Sequence, residues 1–281
     1  VLKIFAAKNR PHFNPLIVHT HALTAVEDAL GPLPAVVYEL AAALWPGPMT
    51  LLLPRGARIP ELVTAGHPRV AIRIPDHPLT LALLQRLPFP LAAPSANPFG
   101  YISPTTAQHV ADQLGDRVGY ILDGGPARVG IESTIIGLEA DGSLRLYRRG
   151  GQALESIQAL VGPITPLAQG EAPQASGMLK SHYAPHTPLI LGDIEALAAR
   201  YPNARLGVLA FQRNPLALRP PHLEILSPDG DLGEAAHQLF AAMRRLDQAA
   251  VDYILAEPVP DRGLGRAIND RLRRAEAERK G

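Results

Sequence analysis

The sequence predicts an α/β protein in two parts. Short apolar runs alternate with amphipathic stretches from the start to about Gly162, at spacings that fit layered strands and helices with some antiparallel pairing. A stretch rich in Pro, Gly, Ala, Gln and Ser, from Pro163 to Pro188, then interrupts the pattern. Beyond it strand and helix patterns alternate again, which implies a small doubly wound domain. With 281 residues to place, the expected division is 1–162, a linker at 163–188, and 189–281.

In the first part, strands are expected at Leu16–Val18, Thr50–Leu53, Val70–Ile74, Leu91–Ala93, Tyr120–Leu122, Thr134–Gly137 and Leu144–Tyr147, each a short apolar or β-branched run. Helices are expected at Ala22–Leu30, Val36–Leu44, Leu79–Arg86, Pro104–Leu114 and Ala153–Leu160. Ser103 can cap the fourth, with Pro104 at the first helical position, where its missing N–H costs nothing. In the second part, strands are expected at Leu189–Leu191, Leu206–Ala210, Leu223–Leu226 and Tyr253–Ala256. Helices are expected there at Ile194–Tyr201, Leu232–Gln248 and Leu264–Arg279. Leu232, Ala235, Ala236, Leu239, Phe240, Met243 and Leu246 mark one face of the second of these at helical spacing.

Composition excludes several classes of function. A 47% apolar fraction with 19% charged residues leaves ample material for a core, and a net charge of +1 gives no global basic field. The absence of cysteine removes disulfides, thiolate zinc sites and cysteine nucleophiles. No apolar run reaches the roughly 18 residues of a membrane span, since Ala41 to Leu53 is cut by Pro46, Gly47 and Pro48. Only four lysines stand among 27 basic residues, so a lysine here is more apt than an arginine to serve as a compact point charge. Two of them, Lys8 and Lys180, fall in stretches rich in functional groups.

Lys8 and Arg10 flank Asn9 and precede Pro11. In an extended segment they point the same way, as a clamp for phosphates or a solvated basic edge. Asn14 and Pro15 follow, then an apolar run ending at His19, which suits either a strand-end ligand contact or a satisfied core histidine. Ser95 and Asn97 lie in a turn between prolines after Leu91–Ala93. That is where ligands bind in α/β sheets, although Ser and Asn are also ordinary turn residues. Arg73 sits among apolar strand residues, so an anionic partner or ligand is expected. Ser133 offers a hydroxyl at a strand start, and Arg148-Arg149-Gly150-Gly151 closes a strand with two cations. His182 and His186 have the helical metal spacing, but Pro185 between them argues against a helix, and no metal site is expected. No Walker loop, dinucleotide fingerprint or serine triad is present. A spacer needs no Lys180, His182 or Tyr183, so the linker is expected to fold back over a site as a lid.

The ordered set of motifs resembles the threonylcarbamoyl-AMP synthase family, the YrdC-like enzymes, in its longer two-domain form. It comprises Lys8-Asn9-Arg10-Pro11 through His19, Ala43 to Leu51, Val70 to Pro75, Ala93-Pro94-Ser95-Ala96-Asn97, Ser133-Thr134-Ile135, Lys180 to Pro185 and Asp270 to Ala275. The resemblance implies a twisted mixed sheet with a concave basic groove and a Rossmann-like C-terminal domain. It implies a nucleotidyltransferase that makes L-threonylcarbamoyladenylate and pyrophosphate from ATP, L-threonine and bicarbonate, for N6-threonylcarbamoyladenosine in tRNA. Lys8, Arg10, Asn14, Ser95, Ser103, Arg148 and Tyr183 would contact ATP, with Asn97 beside Ser95. His19, Arg73, Ala93 (through its backbone) and Ser133 would hold threonine. Lys8 and Arg10 would be the catalytic cations, acting by positioning and charge stabilisation, with Mg²⁺ held mainly by the phosphates. The implied partners are downstream tRNA threonylcarbamoyl-transfer proteins, with possible tRNA contact, in the cytoplasm and with no membrane. The family also begins with a strand and a Pro-Thr-rich loop that this sequence lacks, so an N-terminal segment is expected to be missing. A competing reading is a non-catalytic YrdC-like module that binds double-stranded RNA or tRNA.

Overall fold

The computed structural model describes residues 1–167, 175–179, 181–216 and 220–276. In chain order it runs through α1 (Leu2–Lys8), β1 (Ile17–His19), two 3₁₀ turns (Leu23–Ala25 and Glu27–Ala29), α2 (Ala35–Leu44), β2 (Met49–Pro54), α3 (Glu61–Thr64), β3 (Arg69–Arg73), α4 (Pro78–Arg86), β4 (Leu91–Ala93) and α5 (Ala107–Leu114). It continues with β5 (Thr134–Leu138), β6 (Leu144–Arg148), α6 (Leu154–Val161), β7 (Thr165–Pro166), β8 (Leu189–Leu191), α7 (Ile194–Arg200), β9 (Leu206–Ala210), β10 (His222–Ile225), α8 (Leu232–Gln248), β11 (Tyr253–Ala256) and α9 (Gly265–Glu276). The chain packs into two compact units: Val1–Ser95 with Glu132–Met178, and Ala96–Ile131 with Leu179–Gly281. The division at 162 and 188 remains a proposal about the chain's order of parts, and the compact units are cut differently.

The first unit holds a seven-stranded mixed sheet in the order β4-β1-β3-β2-β5-β6-β7. Strands β1 and β3, β2 and β5, and β6 and β7 pair in parallel, and the other neighbours are antiparallel. Successive residues of a strand serve opposite faces. Val18, Leu51, Ile72, Ile136 and Leu146 join Val37, Leu40 and Ile157 in the larger core, so α2 and α6 cover that face. Ile17, Leu52, Ala71, Ile135 and Tyr147 form a thinner layer on the other face with Ala175.

The second unit holds a parallel sheet in the order β10-β9-β11-β8. Ile194 and Leu197 of α7 pack on Val208, Ala210 and Leu255, while Leu239 and Met243 of α8 and Ile268 and Leu272 of α9 pack with Leu209, Ile254 and Ala256. Helices on both faces of a parallel sheet are the doubly wound arrangement expected. Asp193 and Asp231 cap α7 and α8 by accepting the N–H groups of Ala196 and Glu234.

Several expectations about local structure are corrected. Ala22–Leu30 is two 3₁₀ turns, because Val26 stands at φ −129° between them and breaks the helical path. The helix expected from Pro104 begins at Ala107: Thr106, not Ser103, takes the cap position and accepts the His109 N–H. Tyr120–Leu122 pairs with no strand among the described residues, and its side chains are exposed, Tyr120 by 98%. An apolar run supplies no ladder partner by itself. Lys8-Asn9-Arg10 is not extended: Lys8 ends α1, and Asn9 turns left-handed at φ 51°, its N–H reaching Ala6 and Phe5. Asn tolerates that conformation better than most residues. The expected linker begins as structure, since Thr165–Pro166 joins β6 as an edge strand.

Candidate functional site

The sheet topology of the first unit gathers the chemistry at one edge. Strands β1 and β3 run parallel, with His19 opposite Arg73 at their ends. Because β2 is antiparallel to β3, it starts beside the end of β3, and β5, parallel to β2, starts there too, with Met49 opposite Thr134. Strand β6 then ends at the same edge, Arg148 opposite Ile135. Period two fixes the face as well. His19, Arg73 and Thr50 lie two residues from Ile17, Ala71 and Leu52 of the thin layer, and Ala93 is opposite Ile17. His19, Arg73, Ser133 and Arg148 therefore share one edge and one face, and Ala93 lies on that face at the start of β1.

Hydrogen bonds tie these groups together. Arg148, buried, donates from Nε and Nη2 to the Ser133 carbonyl at 3.1 and 2.9 Å, from Nη2 to Ser133 Oγ at 3.1 Å, and from Nη1 to the Ser176 carbonyl at 2.9 Å. Ser133 Oγ also lies 2.7 Å from Thr50 Oγ1. Gly150 permits the close turn behind them, since a Cβ there would stand 2.3 Å from the Glu132 carbonyl oxygen. Arg10, equally buried, donates from Nη2 to Asn14 Oδ1 at 2.7 Å, to the Pro15 carbonyl at 2.8 Å and to Ser176 Oγ at 3.2 Å. Ser176 thus bridges the Arg10 and Arg148 groups. Lys8 Nζ donates to the Ser95 carbonyl at 2.6 Å. Asn14 Nδ2 is buried with no hydrogen-bond partner among the described residues, a donor that a bound acceptor would satisfy.

The electrostatics favour an anion. Burial, then the neighbouring Arg10, pushes the Lys8 ammonium down to about 7. Burial and Arg148 push Arg73 down to about 10, against the pull of Asp76. Burial and Arg73 push His19 down to about 4, although the Ile17 and Leu91 carbonyls favour its charged form, so the ring is neutral at pH 7. Cations that depress one another are relieved by a negative ligand.

Asn97, Ser103 and Tyr183 belong to the second unit. Asn97 Nδ2 donates to the Tyr101 carbonyl at 2.8 Å, and Ser103 is buried beside it in sequence. Tyr183 is not the exposed hydroxyl a spacer would carry. At φ 63° it is 1% exposed, its ring 5.4 Å from Phe240 and 5.3 Å from the buried Arg271 guanidinium. A left-handed tyrosine is uncommon and is held by such packing. Lys180 lies outside the described residues.

Thr50 and Ser176 are contacts that sequence reasoning missed. Thr50 had a signal, a hydroxyl two residues before Leu52 on the site face; Ser176, a serine in a Ser-rich stretch, had none. Thr50→Val is expected to weaken binding of a small ligand at Ser133 about 3- to 10-fold, by removing one neutral hydrogen bond of about 1 kcal/mol, with Thr50→Ser restoring it. Equal affinity in Thr50→Val would leave the hydroxyl a packing group.

Buried cations and hydroxyls meeting at the strand ends of a mixed sheet define a protein that grips a small anionic ligand. The family model Sua5–YciO–YrdC, described as Telomere recombination, matches residues 1–150, and the model described as Threonylcarbamoyl-AMP synthase, C-terminal domain, matches residues 152–277. The threonylcarbamoyl-AMP synthase of Bacillus subtilis is 41% identical over 98% of this chain and 83% of its own length, and that of Pyrococcus abyssi is 37% identical over 99% and 85%. The crystal structure of P. abyssi Sua5 complexed with L-threonine superposes with a TM-score of 0.90 at 37% identity, covering 98% of this chain and 84% of that one. The chain belongs to the threonylcarbamoyl-AMP synthase (Sua5/YrdC) family, in its two-domain form. Among the described residues, no helix is long and apolar enough to cross a membrane.

Proposed function

We propose that this chain is a threonylcarbamoyl-AMP synthase, which converts ATP, L-threonine and bicarbonate into L-threonylcarbamoyladenylate and pyrophosphate. The observation that carries the reading is the cluster of Lys8, Arg10, Arg73 and Arg148 with Ser133 and Asn14 in the first unit. Carbon dioxide from bicarbonate adds to the threonine amine with loss of a proton. The resulting carbamate oxygen attacks the α-phosphorus, and the bond to the β-phosphate oxygen breaks to release pyrophosphate. Such a displacement needs no protein nucleophile. Lys8, Arg10, Asn14, Ser95 and Arg148 would bind ATP, with Lys8 and Arg10 stabilising charge on the phosphates. Asn97, Ser103 and Tyr183 are proposed as further ATP contacts. His19, Arg73, the Ala93 backbone and Ser133 would hold threonine, with Arg73 facing its carboxylate.

Mg²⁺ would enter on the phosphates and neutralise them, since among the described residues no group of three or more His, Cys, Asp or Glu side chains is placed to hold an ion. The adenylate would pass to tRNA threonylcarbamoyl-transfer proteins in the cytoplasm, for N6-threonylcarbamoyladenosine next to the anticodon. The burial of Lys8, Arg10 and Arg148, each 5% exposed or less, favours a small ligand over the phosphates of an RNA helix, which needs cations spread over a surface. Pyrophosphate release by the full chain, with each substrate omitted in turn, tests the reading. Release should need all three substrates, and equal release without threonine would sink it.

A further inference from the structure

The stretch from Ala43 to Leu51 carries part of the family resemblance, yet residues 45–48, between α2 and β2, have no proposed substrate contact. They form a loop that is fixed at every point. Trp45 is buried in the larger core of the first unit, and its Nε1 donates across the loop to the Met49 carbonyl at 2.7 Å. The Gly47 N–H donates to the Ile74 carbonyl at 2.9 Å, and the Thr134 N–H donates to the Pro48 carbonyl at 2.9 Å. No side chain fits at Gly47, since a Cβ there would stand 2.3 Å from the Leu44 carbonyl oxygen. Three hydrogen bonds and the missing Cβ thus hold the Gly47 carbonyl in one place, and that carbonyl accepts Arg73 Nε at 3.1 Å. Among the described residues this is the one hydrogen bond of the Arg73 side chain. Its two terminal nitrogens stand as a parallel pair of donors, the geometry that meets a carboxylate with two bonds.

We infer that the 45–48 loop is the positioning element for the carboxylate grip. The Gly47 carbonyl, held in place by Trp45, fixes the Arg73 guanidinium by Nε and leaves Nη1 and Nη2 for the carboxylate of the amino-acid substrate. The inference rests on the reading that Arg73 holds threonine. An untethered arginine samples many rotamers and loses that freedom only on binding; one tied by Nε has lost it beforehand. Both Gly47 and Trp45 act through Arg73 and touch no substrate.

Calorimetry with L-threonine, L-threoninamide and ATP, each added separately to the full chain, tests it, with pyrophosphate release measured alongside. The unsubstituted chain should bind L-threonine about 10-fold or more tightly than the amide, which offers no carboxylate to the charged fork. Gly47→Ala, which drives the loop off the Leu44 carbonyl, should reduce that preference to about twofold while ATP affinity stays within about twofold. Trp45→Phe, which keeps a ring and deletes one N–H, should lower the preference about threefold and decides the matter if Gly47→Ala does not fold. An unchanged preference in every folded variant, or ATP weakened as much as L-threonine, would overturn the proposal. An unsubstituted chain that binds L-threonine no better than its amide would overturn it too, and threonine-dependent pyrophosphate release by that chain would leave the synthase reading standing. A preference lost in Gly47→Ala, with no pyrophosphate released by the unsubstituted chain from ATP, L-threonine and bicarbonate, would uphold the positioning role and sink the synthase reading.

Discussion

Arg148→Met is expected to lower pyrophosphate release about 100-fold or more and to raise the requirement for both ATP and threonine. Arg148 is bonded to both halves of the site: one side of its guanidinium holds Ser133, proposed for threonine, and the other holds Ser176, which Arg10 also grips. Losing two charge-assisted hydrogen bonds at roughly 1.5–3 kcal/mol each accounts for the size of the effect. Arg148→Lys keeps the charge but loses the fork, and should recover little. Initial rates measured across both substrate concentrations check this. A variant defective for ATP alone would detach Ser133 from the threonine site.

The second large effect is on pH. In the free protein Lys8 loses its proton near pH 7, and phosphates placed beside it favour the charged form and raise that value. The free protein then carries fewer protons than the complex above pH 7, so ATP binding takes a proton up. Apparent affinity should be flat below pH 7 and fall about tenfold per unit above it, until the pKa of the complex is reached. Calorimetry at pH 6 to 9, in two buffers of different protonation enthalpy, reads both slope and proton count. Lys8→Met should abolish the slope, and a flat profile in the unsubstituted chain would remove Lys8 from the phosphates. Without ATP the sign reverses in its consequence. The folded state holds the Lys8 proton less tightly than an unfolded chain at the ordinary 10.5, so this residue's contribution to stability rises with pH between about 7 and 10.5.

The strands that build the site edge were legible because each combines an apolar run with a polar residue at its end. His19, Arg73 and Arg148 all close strands found within one or two residues of their expected bounds. The chain from Leu189 onward was more legible still, since helices and strands there alternate with clear periods and α8 spans Leu232–Gln248 as expected. The failures share a physical cause: each was decided by a partner far away in the chain or by one backbone angle. Tyr120–Leu122 has strand composition and no neighbour to pair with among the described residues, while Thr165–Pro166 has linker composition and β6 beside it. The turn at Asn9 depends on a single left-handed residue, and no periodicity reports it. At the site, residue types announced an affinity for anions. The bridging by Ser176 could not be read, because it joins positions more than 160 residues apart, with Arg10 as its partner.

The second unit takes its residues from two separated lengths of chain, Ala96–Ile131 and everything after Leu179, and the first unit is likewise interrupted. For a polypeptide emerging from its N-terminus, β2 must wait for β5 with the whole of Ala96–Ile131 intervening. That intervening stretch must in turn wait for α8 before Tyr101, Ile102 and Ile131 are buried. Neither half can finish early, and a chain stopped after residue 162 would be left holding an apolar segment whose cover had not yet been made.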